Sequence, residues 1–145
     1  MKKLLVVTVL LAAMSMITVS AQNKLTVEVT GIKNPTGKLY VALFDTGTTF
    51  LTDKAVAGKI EKINDTAMQL EFDVADGEYA IAIFQDENDN AKLDLGQWGI
   101  PTEKYGFSNN VDPAALRRPP VFEECKFTAN GNTTVVVTLT NAIVE

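Results

Sequence analysis

An all-β fold, a single antiparallel β-sandwich of six to seven strands, is what this sequence predicts. Two observations carry it. Short runs with period-two or two-faced apolar patterning recur after residue 21, each bounded by turn-forming residues. No stretch there sustains the 3.6-residue apolar period of an amphipathic helix.

Each element follows in order. "KLTVEVTG" sets Leu25, Val27 and Val29 against Thr26, Glu28 and Thr30, the pattern of a half-buried strand. "NPTG" then turns the chain, because Pro35 presets φ and Gly37 accepts a positive φ. "KLYVALFD" is apolar on both faces and reads as a central strand, and "AGKIEKI" is a weaker seventh strand. "AMQLEFDV" places Met68, Leu70, Phe72 and Val74 on one face. After "ADG", "EYAIAIFQ" is again apolar on both faces, and the pair reads as a hairpin. "EECKFTA" and "TTVVVTLT" flank Asn130-Gly131, a strong hairpin signal. In outline the sandwich is Ig-like or transthyretin-like. Cys125 shares a face with Phe127 in this reading and is a buried apolar residue. As the only cysteine, it excludes an internal disulfide.

The first residues read as a cleaved signal peptide, 1–21. Lys2 and Lys3 precede the apolar run "LLVVTVLLAAMSMITV", and "VSA" sets small residues before a cut after Ala21. The expected location is therefore periplasmic or extracellular, with residues 22–145 as one domain and no membrane span after cleavage. Removing Lys2 and Lys3 from 13 basic residues leaves 11 against 18 acidic, a formal charge of −7. Such a chain does not suit nucleic acid, whose phosphates select basic surfaces, but it accommodates divalent cations. The absence of histidine removes the usual general base and zinc ligand.

Residues 86–120 show no strand or helix period and read as one long ordered loop, since Leu93, Leu95, Trp98, Ile100, Tyr105 and Phe107 give it apolar area to pack. It opens on "DENDNAKLD". Calcium takes about 6–8 oxygen ligands, and helix-loop-helix calcium loops supply them from alternating positions. Counted from Asp86, those positions fall on Asp86, Asn88, Asn90, the carbonyl of Lys92, Asp94 and Gln97. The pattern departs at Ala91, where glycine ordinarily permits the sharp turn, and at Gln97, where a bidentate glutamate is usual. Glu103 is the alternative source of that carboxylate. The competing reading is a solvated turn, because Asp and Asn favour turns for backbone reasons.

"DENDNAKLDLGQWGIP" resembles the calcium loops of B-type β-sandwich repeats of bacterial surface proteins. A wider resemblance runs through "GKLYVALFD…FL", "GEYAIAIFQDENDNAKLD", "GIPTEKYGFSNN" and "PPVFEECKF", in that order. Together they resemble the uncharacterised bacterial exported family known as domain of unknown function 2141. That resemblance implies small exported proteins with no established activity. It also implies a glycine where this chain has Ala91, and a histidine, hence a further ligand, where it has Gln85.

"GIPTEKYGFSNN" offers a polar-aromatic surface of Tyr105, Phe107, Asn109 and Asn110, with Trp98 as a stacking platform beside it. The structural alternative has Tyr105 and Phe107 pinning the loop while the amides satisfy backbone groups. Arg117 and Arg118 pair with an anionic ligand or with nearby carboxylates. Enzyme chemistry has thin support: there is no Ser/His or Cys/His pair and no phosphate loop. The expectation is an exported, non-catalytic binding or envelope-associated module with a calcium-ordered loop, its partner an unknown glycan, peptide or envelope component. A small hydrolase using loop carboxylates and a purely structural secreted domain are the alternatives.

Overall fold

The computed structural model describes residues 22–142, so the expected signal peptide lies outside the described residues. Eight strands among these form two packed sheets, and the all-β sandwich is the fold. Strands β1 (Asn23–Thr30), β4 (Met68–Val74) and β8 (Thr133–Thr138) make a three-stranded sheet in the order β4-β1-β8. Strands β2 (Lys38–Phe44), β3 (Ala57–Lys62), β5 (Gly77–Asp86), β6 (Tyr105–Phe107) and β7 (Phe127–Ala129) make the larger sheet. Its order is β3-β2-β5, after which β6 pairs with Ala82–Phe84 and β7 with Gly77–Tyr79. The weak strand expected in "AGKIEKI" is β3, an exposed edge. One pairing departs from an all-antiparallel sandwich: β1 and β8 run parallel, with Val27 opposite Val135.

Burial explains where the strands go. Leu25, Val27 and Val29 of β1 and Leu70, Phe72 and Val74 of β4 face Leu39, Val41, Leu43, Ile81 and Ile83 of the opposite sheet, and all are buried. The other face of β2 and β5 packs a second cluster, in which Phe44, Phe50, Ala80, Tyr105, Phe107, Phe122 and Cys125 are buried. Strands apolar on both faces must be covered on both, so β2 and β5 take the middle of the larger sheet.

The same requirement corrects the two expected hairpins. β4 has one apolar face and stays against solvent in the small sheet, whereas β5 goes to the large one. The "ADG" turn therefore crosses between sheets. Asn130-Gly131 does likewise, joining β7 beside β5 to β8 beside β1, with Gly131 at φ +68. "EECKFTA" is not one strand. Phe122–Cys125 is a short helix, α2, whose first free N–H, that of Val121, is capped by the Glu124 carboxylate at 2.9 Å, and only Phe127–Ala129 is extended. The span 86–120 is not uniformly irregular either. It holds β6 and the helical turn α1 (Pro113–Leu116), capped by Asp112, which accepts from the Ala114 N–H at 2.9 Å.

Candidate functional site

β5 ends on Asp86, whose side chain is fully buried. Its carboxylate accepts the N–H groups of Asn90 at 3.1 Å and Ala91 at 2.8 Å, folding the next residues back over the strand end. Asn88 Oδ1 accepts from the Asn90 N–H at 3.2 Å, and Asn90 Oδ1 from the Lys92 N–H at 3.0 Å. The amide nitrogens of both asparagines donate to the Asp94 carboxylate, Asn90 at 2.8 Å. Four of the residues expected to share an ion site thus form one turn. Lys92 joins it through its N–H.

Glu103 closes that turn. It is buried, and its two carboxylate oxygens accept the N–H of Glu87 at 2.9 Å and of Asp94 at 3.0 Å, one at each end of the loop. Gln97 lies farther on, exposed in a 3-10 turn, so of the two alternatives it is Glu103 that reaches the loop. Ala91 takes φ +62, the left-handed conformation that glycine adopts without strain. Gly37, at φ +74, packs against the loop from the turn just before β2: a Cβ there would lie 1.8 Å from the Asp86 carbonyl oxygen. Lys38 follows it, and its Nζ lies 2.7 Å from Asp89, which raises the lysine pKa through that hydrogen bond first. Asp89 thereby stays outside the turn.

Gln85 faces away from the turn. Successive strand residues point to opposite faces, so it lies across β5 from Asp86. Its Nε2 donates to the carbonyls of Asn34 and Thr36 at 2.8 and 3.1 Å, while its buried Oε1 has no partner among the described residues. Nearby, Lys104 is buried with its Nζ 3.2 Å from the Gly31 carbonyl, and that burial lowers its pKa.

Beyond Asp94 the chain rises into a hairpin finger. The Thr102 N–H donates to Asp94 O at 2.9 Å, Leu95 and Pro101 form a bridge, and the Gly96 N–H donates to Ile100 O at 2.7 Å. At the tip Trp98 has φ +64 and is 93% exposed. Leu95 and Ile100 below it are also exposed.

The remaining expected surface residues separate from Trp98. Tyr105 and Phe107 are buried in the second cluster, with ring centroids 5.9 Å apart. Asn109 Nδ2 donates to the carbonyls of Glu124 and Lys126 at 3.1 and 2.9 Å, and Asn110 Oδ1 accepts the Thr138 N–H at 2.8 Å. Tyr105 and Phe107 are thus core residues, while Asn109 and Asn110 stay exposed with their amides engaged by backbone groups; Trp98 is the exposed aromatic of the five. Ser108, in the same polar-aromatic segment, is a structural residue too. Its hydroxyl accepts the Ile81 N–H at 2.9 Å, in the gap where β5 passes from β7 to β6, and donates to Cys125 O. Burial pushes the Cys125 thiol up to about 12, leaving it inert. Arg118 makes a two-pronged contact with Glu124, and Arg117 forms no ion pair among the described residues.

A carboxylate oxygen accepts two hydrogen bonds, so Asp86 and Glu103 keep acceptor capacity after binding their backbone donors. Among the described residues no group of three or more His, Cys, Asp or Glu side chains is placed to hold a metal ion by itself. The loop's oxygen supply is therefore mixed, carboxylate and amide. No helix among the described residues is long and apolar enough to cross a membrane.

The chain belongs to the family described as an uncharacterized protein conserved in bacteria, domain of unknown function 2141, whose family model matches residues 27–137. Neither the curated proteins nor the solved structures include a match to the chain.

Proposed function

We propose that this member of the domain of unknown function 2141 family is an exported, non-catalytic binding module whose acidic loop takes calcium and carries the Trp98 finger. One observation supports it above the rest: Asp86, Asn88, Asn90, Asp94 and Glu103 meet in a single turn at the foot of that finger. Calcium accepts such mixed oxygen sets. Asp86, Asn88, Asn90, Asp94 and Glu103 would hold the ion, whose charge would fix the foot of the finger. Export rests on the Lys2–Ala21 pattern, and it matters because weak extracellular sites, with Kd of about 10⁻⁴–10⁻³ M, fill where calcium is abundant. The hydrolase alternative gains nothing from the main groove, whose lining includes no carboxylate.

The test is calorimetric calcium titration with thermal denaturation in calcium and in chelator. A ligand at a hundredfold excess over Kd stabilises the native state by about 2.7 kcal/mol, which raises Tm by several degrees in a chain of this size. Asp94→Ala removes most of that rise and Asp89→Ala little. No calcium uptake at millimolar concentration, with identical melting in chelator, returns the loop to a solvated turn.

A further inference from the structure

The outer face of the larger sheet carries an apolar groove of about 620 Å³. Cross-strand pairing builds it. Gly58, Ala42 and Ala82 lie side by side across β3, β2 and β5 and make a floor of small residues. Tyr40 and Phe84, one pairing step along, stack at 4.7 Å and form one wall. Phe44 and Leu51 line the other side. Nothing among the described residues fills the groove, and two of its members, Leu51 and Ile60, are 42% and 59% exposed.

The finger is the complementary shape. Of the eight large apolar side chains that are exposed among the described residues, Leu95, Trp98 and Ile100 stand on the finger and Leu51 and Ile60 border the groove. Exposed apolar area is thus concentrated on a knob and a hole, which in soluble proteins marks an interaction surface. The two are adjacent, because Leu93, five residues before Trp98, itself lines the groove.

We propose that the occupant is a second copy of this chain: each Trp98 finger enters the groove of its partner across a two-fold axis. Charge favours this occupant. Residues 86–103 carry Asp86, Glu87, Asp89, Asp94 and Glu103 against Lys92, a net −4, while Lys62 stands on the groove face of β3, on the same side of the strand as Gly58 and Ile60. Lys62 makes no ion pair among the described residues. The groove itself is apolar, and small-ligand sites span about 300–1,000 Å³, so an indole and a neighbouring finger residue fit together. A knob and a hole on one face exchange reciprocally and close as a dimer, whereas a knob and a hole on opposite faces would generate an open chain. The pairing does not depend on the ion.

Trp98 is the only tryptophan, so its emission reports the contact directly. Sedimentation equilibrium and tryptophan emission are measured on the purified protein across rising concentration, with and without chelator. The expected result is a doubling of mass together with a blue shift of emission, over one concentration range. Trp98→Ala, at an exposed site where circular dichroism should stay unchanged, weakens the association at least tenfold, as loss of a buried aromatic anchor does. Ala82→Leu, which fills the floor, keeps Trp98 emission red and the mass single. A monomer at the highest concentration reached overturns the proposal. So does a dimer whose emission stays red and survives Trp98→Ala. Open-ended growth in mass, or a groove filled by an added apolar small molecule with the dimer untouched, overturns it equally.

Discussion

Two polar turns of this protein look alike in sequence and differ in what they bond. Residues 86–94 and residues 108–110 both gather short oxygen- and amide-bearing side chains after a strand. Ser108, Asn109 and Asn110 reach main-chain groups of Ile81, Cys125, Glu124, Lys126 and Thr138, all distant in sequence. Asn88, Asn90 and Asp94 bond chiefly to one another or to backbone within a few residues. The first set satisfies donors and acceptors that the fold would otherwise leave bare, so exchanging its partners breaks structure. The second set is closed on itself near solvent and can trade a partner without cost to the rest of the chain. A polar cluster becomes available to a ligand when its bonds are local.

The comparison breaks most sharply at Gly37, the contact that ties the self-bonded turn to the sandwich. Gly37→Ala combines a left-handed backbone with a Cβ 1.8 Å from the Asp86 carbonyl oxygen. Neither atom is the end of a flexible side chain, so β2 and the loop must separate. Urea denaturation should show a loss of roughly 3 kcal/mol or more. Retention of full stability would mean that the loop is not anchored there. In the other turn, Ser108→Ala strips the partner from the buried Ile81 N–H. An unsatisfied buried donor costs about 1–3 kcal/mol, and the same denaturation measures it. Asn88→Ala in the exposed, self-bonded turn should cost less than Ser108→Ala in chelator, and the reverse order would collapse the distinction.

Much of the fold was legible because the core is written in alternation: Leu25, Val27 and Val29, or Leu70, Phe72 and Val74, announce their faces without reference to other segments. Strand partners were not legible. Two short turns looked like hairpins, yet whether a turn joins neighbours or crosses between sheets depends on how many faces of each strand need cover. The acidic loop was readable from its spacing, down to the residue whose backbone would need φ > 0, Ala91. Glu103 was only an alternative in sequence, because a side chain that folds back from beyond a hairpin has no fixed spacing. Ser108 stood out only as one polar residue of its segment, and its task was not legible, since it is set by the gap between β6 and β7.

Smaller changes sharpen the contrast. Ala91→Gly should stabilise the self-bonded turn by up to about 1 kcal/mol, because relief of a left-handed alanine, about 1–2 kcal/mol, exceeds the added chain entropy of glycine, about 0.5–1 kcal/mol. A rise in the urea midpoint with unchanged slope would show it, and a fall would mean that the methyl group packs usefully.

The least effect is expected at the far end of the long-range corner, where Arg118 and Glu124 face each other at 2.6 and 3.0 Å. The Arg118 guanidinium, followed by the Val121 N–H, holds the Glu124 carboxyl at about 2, below its ordinary 4.5. Between those values the unfolded chain binds a proton that the folded chain does not, so the contribution to stability is present in full above about pH 4.5 and is lost as pH falls toward 2. Both side chains are partly exposed, 48% and 29%, so solvent and salt screen the pair and its worth is small. Arg118→Ala should lower the melting temperature slightly above about pH 4.5, where the contribution is in full, and not at pH 2, so that the acid limb between those values flattens. Raising the ionic strength should shrink the difference between the two proteins. If Arg118→Ala instead lowers stability equally at all pH values, the side chain acts by packing, and the pair is no part of the corner's electrostatics.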